Sequence, residues 1–193
     1  STTVDLGGYI DSREGPNPEG LLGQAGIAAA LSDAPVGHSV YVLCSVNPPG
    51  MDPLDIKFAR STDGGGTWSD AVRVNDDTGD AWQWFGTMSV APDGRIDVVW
   101  LDTRDNPGSV VSALYYSYSL DQGHTWSPNE RLSESFHPHI GWPQQNKMGD
   151  YFDMYSDEEG AHLAWAATFN GEQDVYYSVI VPDYVRVDEI AGQ

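Results

Sequence analysis

Aromatic and polar side chains that suit a carbohydrate site concentrate in two stretches of the chain, 75–85 and 135–151. Flat aromatic rings cover the apolar faces of sugars, while amide and carboxylate groups bond the hydroxyls. The tryptophans could instead pack between layers of the fold, and the sequence leaves both interpretations open. The candidate ligand-binding residues in these stretches are Trp82, Trp84, Trp142, Lys147, Asp150 and Tyr151.

Two further candidates, Asp102 and Arg104, come from a short charged stretch at positions 102–105. An arginine beside carboxylates can bind a ligand, but it can also close a local salt-bridged turn. The spacing of Asp76, Asp77 and Asp80 would allow their oxygens to hold Ca²⁺, although the sequence contains no fixed calcium-loop pattern. We therefore expect no metal or other cofactor, with Ca²⁺ as the one alternative.

An eight-residue motif, S-x-D-x-G-x-T-W, occurs twice, with Asp63 and Asp121 lying 58 positions apart. The aspartate of such a motif can accept hydrogen bonds from backbone N–H groups of its own turn. The glycine can take a positive φ without steric cost, and the tryptophan can pin the hairpin to its sheet. The pattern therefore predicts a structural turn rather than a catalytic site. Its residues are Ser61, Asp63, Gly65, Thr67 and Trp68, then Ser119, Asp121, Gly123, Thr125 and Trp126.

The sequence around the motif repeats as well, and this repeat predicts the elements that must position the candidates. Each copy contains about four short runs rich in β-branched and aromatic residues, separated by Gly, Pro, Asn and Asp. Four strands per repeat of this length are typical of propeller blades. Three copies, at about 22–76, 77–135 and 136–181, predict an all-β arc of about three four-stranded antiparallel blades. The third copy lacks the motif.

The regions outside the repeat are predicted to be an inter-blade link or the end of a preceding blade (1–21) and a C-terminal strand or tail (182–193). Three blades do not close a ring, because propellers typically have about four to eight. We expect both ends of the arc to expose apolar side chains that further blades of the same parent protein, or a second copy, would cover. The single cysteine, Cys44, lies in an apolar run and should be buried and inert.

The two motif copies resemble the Asp-box, or BNR, repeats of bacterial sialidases (neuraminidases) and related propellers, and the framework extends over roughly residues 22–181. The resemblance implies a parent propeller of about six blades. It also implies that the motifs are structural and that function lies on the opposite face. That face would be built from the loop between the second and third strands of each blade and from the links between blades, where the eight candidates fall.

Charge and composition reduce the number of function classes that fit this chain. The chain has 9 Lys and Arg against 29 Asp and Glu, a net charge of −20, which disfavours nucleic acids and anionic membranes. No apolar stretch is long enough to span a membrane. A sialidase of the resembled family would use an arginine triad, a Tyr–Glu pair and an Asp acid/base. Of the seven arginines, only Arg104 and Arg13 fall where they could face such a site.

Three hypotheses remain, and the sequence leaves open whether the chain is an enzyme. In the first, the chain is an extracellular or cell-surface propeller segment that binds or processes glycans. In the second, it is a non-catalytic propeller scaffold for protein interaction. In the third, it is an exo-sialidase, a glycoside hydrolase, with its arginine triad completed outside this chain. The few suitable arginines favour the second over the third.

Overall fold

Every regular element in the described part of the chain is a β-strand, as the repeat predicts. The computed structural model describes residues 1–10, 15–18, 22–30, 38–142, 147–150 and 152–183. Within these residues, no helix has the length and apolar character that crossing a lipid bilayer requires. The strands form three antiparallel sheets, which confirms the predicted propeller arc.

Each sheet falls within one copy of the sequence repeat. The first sheet contains β1 (Gly26–Ala29), β2 (Val40–Val46), β3 (Asp55–Ser61) and β4 (Val72–Arg73). The second contains β5 (Gln83–Val90), β6 (Ile96–Asp102), β7 (Ala113–Ser119) and β8 (Glu130–Arg131). The third contains β9 (Asp153–Ser156), β10 (Ala161–Ala167) and β11 (Asp174–Ile180).

The strands of each sheet are paired in sequence order. The first two sheets have the orders β1-β2-β3-β4 and β5-β6-β7-β8, and the third has the order β11-β10-β9. The third sheet therefore contains the first three strands of the same pattern. From residue 184 onward, the predicted C-terminal strand or tail lies outside the described residues. A bulge between Trp84 and Thr87 shifts the pairing of β5 with β6, and Trp84 and Phe85 both join the core next to the third sheet.

The second sheet lies between the other two, and strand β6 shows how the sequence encodes this stacking. All seven residues of β6 are buried. Because alternate side chains of a strand point to opposite faces of its sheet, this burial means that both faces are covered. Val98 and Trp100 belong to the core shared with the first sheet, whereas Val99 and Leu101 belong to the core shared with the third. The uninterrupted apolar run at 98–101 in β6 is thus typical of a strand whose sheet is covered on both faces.

The two outer faces of the arc differ. On the first sheet, Leu6 of the N-terminal segment packs with Cys44 and Val46, and burial raises the pKa of the Cys44 thiol to about 11. On the third sheet, Val175 and Tyr177 of β11 are 77% and 69% exposed. The expectation that both ends expose apolar side chains holds only in part for the first sheet, because the N-terminal segment covers Cys44 and Val46 while Ile27 of β1 remains 73% exposed. It is correct for the third.

The two copies of the repeated motif form matching turns. In the first, Ser61 Oγ donates to Asp63 Oδ1 at 2.7 Å, and Thr67 donates to Asp63 through its backbone N at 2.8 Å and its Oγ1 at 2.8 Å. Asp121 accepts the equivalent bonds in the second. These bonds, led by the Thr67 backbone N–H, lower the pKa of Asp63 to about 2. The carboxylate fixes the turn, as the sequence predicts.

The motifs differ in what they pack against. Gly65 and Gly123 have φ values of 89° and 79°, so both use the left-handed conformation that favours glycine. A Cβ at Gly123 would lie 2.2 Å from a ring carbon of Phe58 in the first sheet, whereas a Cβ at Gly65 would come no closer than 3.8 Å to the Trp68 ring. Trp126 also packs edge-on against Phe58, with ring centroids 5.1 Å apart. The second motif therefore docks on the preceding sheet.

Candidate functional site

A cleft of about 740 Å³ opens between the first and second sheets, at the strand ends opposite the repeated turns. Its walls come from the β2–β3 loop, the link between β4 and β5, and the β6–β7 loop. These are the segments in which the sequence resemblance placed the functional face. Side chains from all three segments line it, among them Met51, Asp77, Asp80, Trp82, Thr103 and Arg104.

Trp82 forms the aromatic wall of the cleft, and the β6–β7 loop fixes its backbone. Trp82 N donates to Thr103 Oγ1 at 2.9 Å, and Thr103 N donates to Trp82 O at 3.1 Å. Thr103 is almost fully buried, so the pair is held firmly. The indole itself is half-buried and lines the cleft, which leaves part of an amphipathic ring available for stacking.

Gly15 does not line the cleft but contacts Trp82, and sequence analysis missed this contact. Gly15 has a φ of 102°, and a Cβ on it would lie 2.6 Å from two carbons of the Trp82 ring, so its backbone packs directly on the indole. The segment is anchored further along by Met148 N, which donates to Asn17 Oδ1 at 2.9 Å. His139 Nε2 also lies 2.6 Å from Pro16 O. The N-terminal segment therefore joins the two inter-blade links.

Arg104 is a crosslink between loops rather than a free cation. Its Nε donates to Asp102 Oδ2 at 2.8 Å, one terminal nitrogen donates to Asp76 Oδ1 at 2.7 Å, and the other donates to Asn129 Oδ1 at 3.0 Å. The guanidinium carbon lies 4.5 Å from the centroid of the Tyr115 ring, an arrangement that adds a cation–π contact. Residues 102–104 thus form the salt-bridged turn that the sequence left as one alternative.

Carboxylates outnumber cations along this wall of the cleft. Asn75 Nδ2 donates to Asp77 Oδ1 at 2.7 Å and to Asp55 Oδ1 at 2.8 Å, which holds these two acids close together. Burial, and then the charge of Asp55, raises the pKa of Asp52 to about 6. Asp52 Oδ1 and Asp77 Oδ2 are buried and make no hydrogen bond within the described residues. Arg73 lies within 4 Å of Asp52 and Asp55, and Lys57 lies within 4 Å of Asp55, so the excess of carboxylates in the described lining of the cleft comes from Asp77 and Asp80 against Arg104.

Two of the predicted ligand contacts, Trp84 and Asp102, have side chains that do not reach solvent in the described structure. Trp84 packs against Phe85, with ring centroids 4.5 Å apart, and its Nε1 donates to Ser112 Oγ at 3.1 Å. Asp102 is occupied by Arg104, and burial raises the pKa of the Asp102 carboxyl above its ordinary value despite that partner. Trp84 fills the interface between sheets, and Asp102 orients Arg104.

The remaining candidates fall in the sequence between the second and third sheets, and those within the described residues, Trp142, Lys147 and Asp150, do not line the cleft. Trp142 is 79% exposed, and the backbone of the preceding Gly141 packs against the β10–β11 loop. Lys147 and Asp150 are half-buried, and Tyr151 lies outside the described residues. Of the seven candidates within the described residues, the structure thus brings Trp82 and Arg104 into one site.

The described residues contain no group of three or more His, Cys, Asp or Glu that could hold a metal ion. Of the three aspartates considered for Ca²⁺, Asp76 and Asp77 lie 2.7 Å and 3.6 Å from nitrogens of Arg104, and Asp80 is exposed on the rim. The calcium hypothesis for these three residues stays a prediction.

Comparison with known proteins identifies the fold. The chain matches no protein-family model and no curated protein. Among solved structures it is similar to the Hadza microbial sialidase Hz136, with a TM-score of 0.54 and 15% identity over 84% of this chain and 36% of that one. It is also similar to an α-L-arabinanase of Penicillium chrysogenum complexed with arabinobiose, with a TM-score of 0.50 and 18% identity over 83% of this chain and 46% of that one.

The chain therefore spans less than half the length of these two proteins. At this level of identity, the likeness shows a shared fold, consistent with a partial propeller arc.

Proposed function

We propose that this chain is a sialidase-like propeller segment that binds a carbohydrate, and that the sugar stacks on Trp82 in the cleft between the first two sheets. The observation that carries the proposal is the half-buried indole in a cleft of about 740 Å³, beside hydroxyl and carboxylate groups. Aromatic rings with a few fixed polar groups are typical of sugar sites.

The charges of the cleft favour a neutral sugar over a sialic acid. Arg104 is the cation that lines the cleft in the described structure, and Asp76 and Asp102 already neutralise it. Recognition of a carboxylate by arginine depends on guanidinium N–H groups that are free to donate. An anionic sugar would instead meet the carboxylates of Asp77 and Asp80, which also line the cleft.

The solved structures with a similar fold support a glycan as the ligand class. One is named as a sialidase and the other is an arabinanase complexed with arabinobiose, which carries no carboxylate. The proposal includes an extracellular or cell-surface setting, where glycans are accessible. Detection of the parent protein in the culture medium or on the cell surface would test this proposed setting.

Calorimetric titration with arabinobiose and with 3′-sialyllactose tests the proposal. We expect arabinobiose to bind at least about tenfold more tightly, because the wall of the cleft repels the sialic acid carboxylate. Trp82→Ala should weaken binding about three- to tenfold by removing the stacking ring. Trp142→Ala, a change of the same size on the other inter-blade link, serves as the matched control and should leave affinity unchanged.

Two results would contradict the proposal. The first is tighter binding of 3′-sialyllactose, which would indicate a cationic site elsewhere and favour the exo-sialidase hypothesis. The second is the absence of binding to any neutral sugar on a glycan array by the correctly folded chain, which would favour the protein-scaffold hypothesis. Analysis of the sugars after incubation shows whether the chain also cleaves them.

A further inference from the structure

The uncovered face of the third sheet carries a hydrogen-bonded series of three titratable side chains, Asp157, His162 and Tyr177. His162 Nε2 lies 3.0 Å from Asp157 Oδ2, and His162 Nδ1 lies 2.7 Å from the hydroxyl oxygen of Tyr177. Asp157 belongs to the turn between β9 and β10, His162 lies on β10, and Tyr177 lies on β11. The turn and the two paired strands therefore fix the positions of the three side chains relative to one another.

The proton positions in this series follow from the surroundings of Asp157. Its Oδ1 accepts hydrogen bonds from Glu159 N at 2.8 Å and Gly160 N at 2.9 Å. The bond from Gly160, then that from Glu159, and then His162 hold the pKa of Asp157 below its ordinary value. An ionised carboxylate only accepts, so His162 Nε2 carries the proton that bonds to it. In the neutral ring, Nδ1 is then the acceptor, and the Tyr177 hydroxyl donates to it.

The arrangement is both held in place and open to reagents. Arg95 donates to the backbone carbonyl of Asp157 at 2.8 Å, which secures the turn. The rings of His162 and Tyr177 stack with centroids 6.1 Å apart and an interplanar angle of 19°. Tyr177 is nevertheless 69% exposed. A weak nucleophile bonded to a base, which is itself oriented by a third group, is the general signature of an activated nucleophile.

We propose that Tyr177 is a nucleophilic tyrosine and a covalent modification site for activated acyl donors such as aryl esters, with His162 as its general base. The phenolic oxygen forms a bond to the acyl carbon, and the bond between that carbon and the leaving aryloxide breaks. The phenolic proton moves to His162 Nδ1, and the imidazolium is stabilised beside Asp157 until it releases the proton to solvent. The product is an acylated tyrosine and a free phenol.

Acetylation by p-nitrophenyl acetate, followed by peptide mass spectrometry, tests the proposal without any carbohydrate ligand. Tyr155 is the internal control, since it is 66% exposed on the same face. We expect acetylation of Tyr177 to be at least about tenfold faster than that of Tyr155, because general-base assistance typically contributes a factor of about 10²–10⁴. His162→Gln should reduce labelling of Tyr177 to the rate of Tyr155.

Asp157→Asn should also slow labelling of Tyr177, because it removes the ionised acceptor that fixes the tautomer of His162. Tyr155→Phe should leave the labelling of Tyr177 unchanged. Equal rates for Tyr177 and Tyr155 in the unmodified chain would overturn the proposal, and this comparison does not depend on the folding of any variant. An unchanged rate for Tyr177 in His162→Gln would overturn it as well.

Discussion

The outer faces of the first and third sheets are built from strands of the same repeat, yet they are covered to different extents. Leu6 and other residues of the N-terminal segment cover part of the first, where they pack with Cys44 and Val46 and leave Ile27 of β1 exposed. The third leaves Val175 and Tyr177 in solvent. The repeat therefore specifies which side chains point out of a sheet, and chain outside the repeat determines whether they are buried.

The third sheet offers the sharpest test of this comparison, because its two faces can be changed independently. Leu163 points towards the second sheet and is fully buried, whereas Val175 points outward. We expect Leu163→Ala to lower the free energy of unfolding by about 2–5 kcal/mol through a buried cavity. Val175→Ala should change it by less than about 0.5 kcal/mol. Urea unfolding of both variants measures the difference.

A comparable loss from Val175→Ala would contradict the comparison, since it would mean that something covers the outer face in solution. Repeating the measurement at several protein concentrations would then show whether that cover is a second copy of the chain.

The cover of the first sheet can be tested in the same way. Leu6→Ala should lower the free energy of unfolding by about 1.5–3 kcal/mol, because it removes apolar contact with Val46. Ile10→Ala is the matched control from the same segment, since Ile10 is 56% exposed, and it should have little effect. Equal effects of the two changes in urea unfolding would show that the N-terminal segment is not a packed layer.

Acid should affect the two ends of the arc in opposite directions. Burial and the charge of Asp55 raise the pKa of Asp52 from 3.8 to about 6, so its contribution to stability is lost as the pH rises through about 6. Backbone hydrogen bonds, led by that of Gly160, lower the pKa of Asp157 below 3.8, so its contribution is lost as the pH falls.

Melting temperatures of two variants measure this difference. Asp52→Asn should raise Tm relative to the unmodified chain at about pH 7.5 but not at about pH 4. Asp157→Asn should lower Tm more at about pH 7.5 than at a pH well below the ordinary aspartate pKa. A Tm difference for Asp52→Asn that is the same at both pH values would show that the carboxyl does not titrate as its surroundings imply.

Sequence alone predicted the elements of this fold because the repeat and the alternation of apolar residues are local signals. The turn chemistry of Asp63 and Asp121 follows from eight adjacent residues, and the structure has the bonds that those residues imply. Strand β1 (Gly26–Ala29) lies within the first copy of the repeat, at about 22–76, for which four strands were predicted.

The site was only partly predictable, because it depends on contacts between distant positions. No local pattern distinguishes Trp82, which lines the cleft, from Trp84, which fills the core two residues later. A bulge in β5 determines where Trp84 and Phe85 point, and the sequence does not mark it. The contact of Gly15 with Trp82 joins positions 67 residues apart in a segment outside the repeat.

The Phe58 contact has a consequence for inserting foreign sequence into this chain. A Cβ at Gly64, in the first turn, would meet no other described atom within 4 Å, so a peptide tag spliced in there would extend into solvent. In the second turn, Gly123 lies so close to Phe58 that added residues would separate the first two sheets. Added residues would interrupt the aspartate bonds of either turn, but only in the second would they also disturb the packing between two sheets.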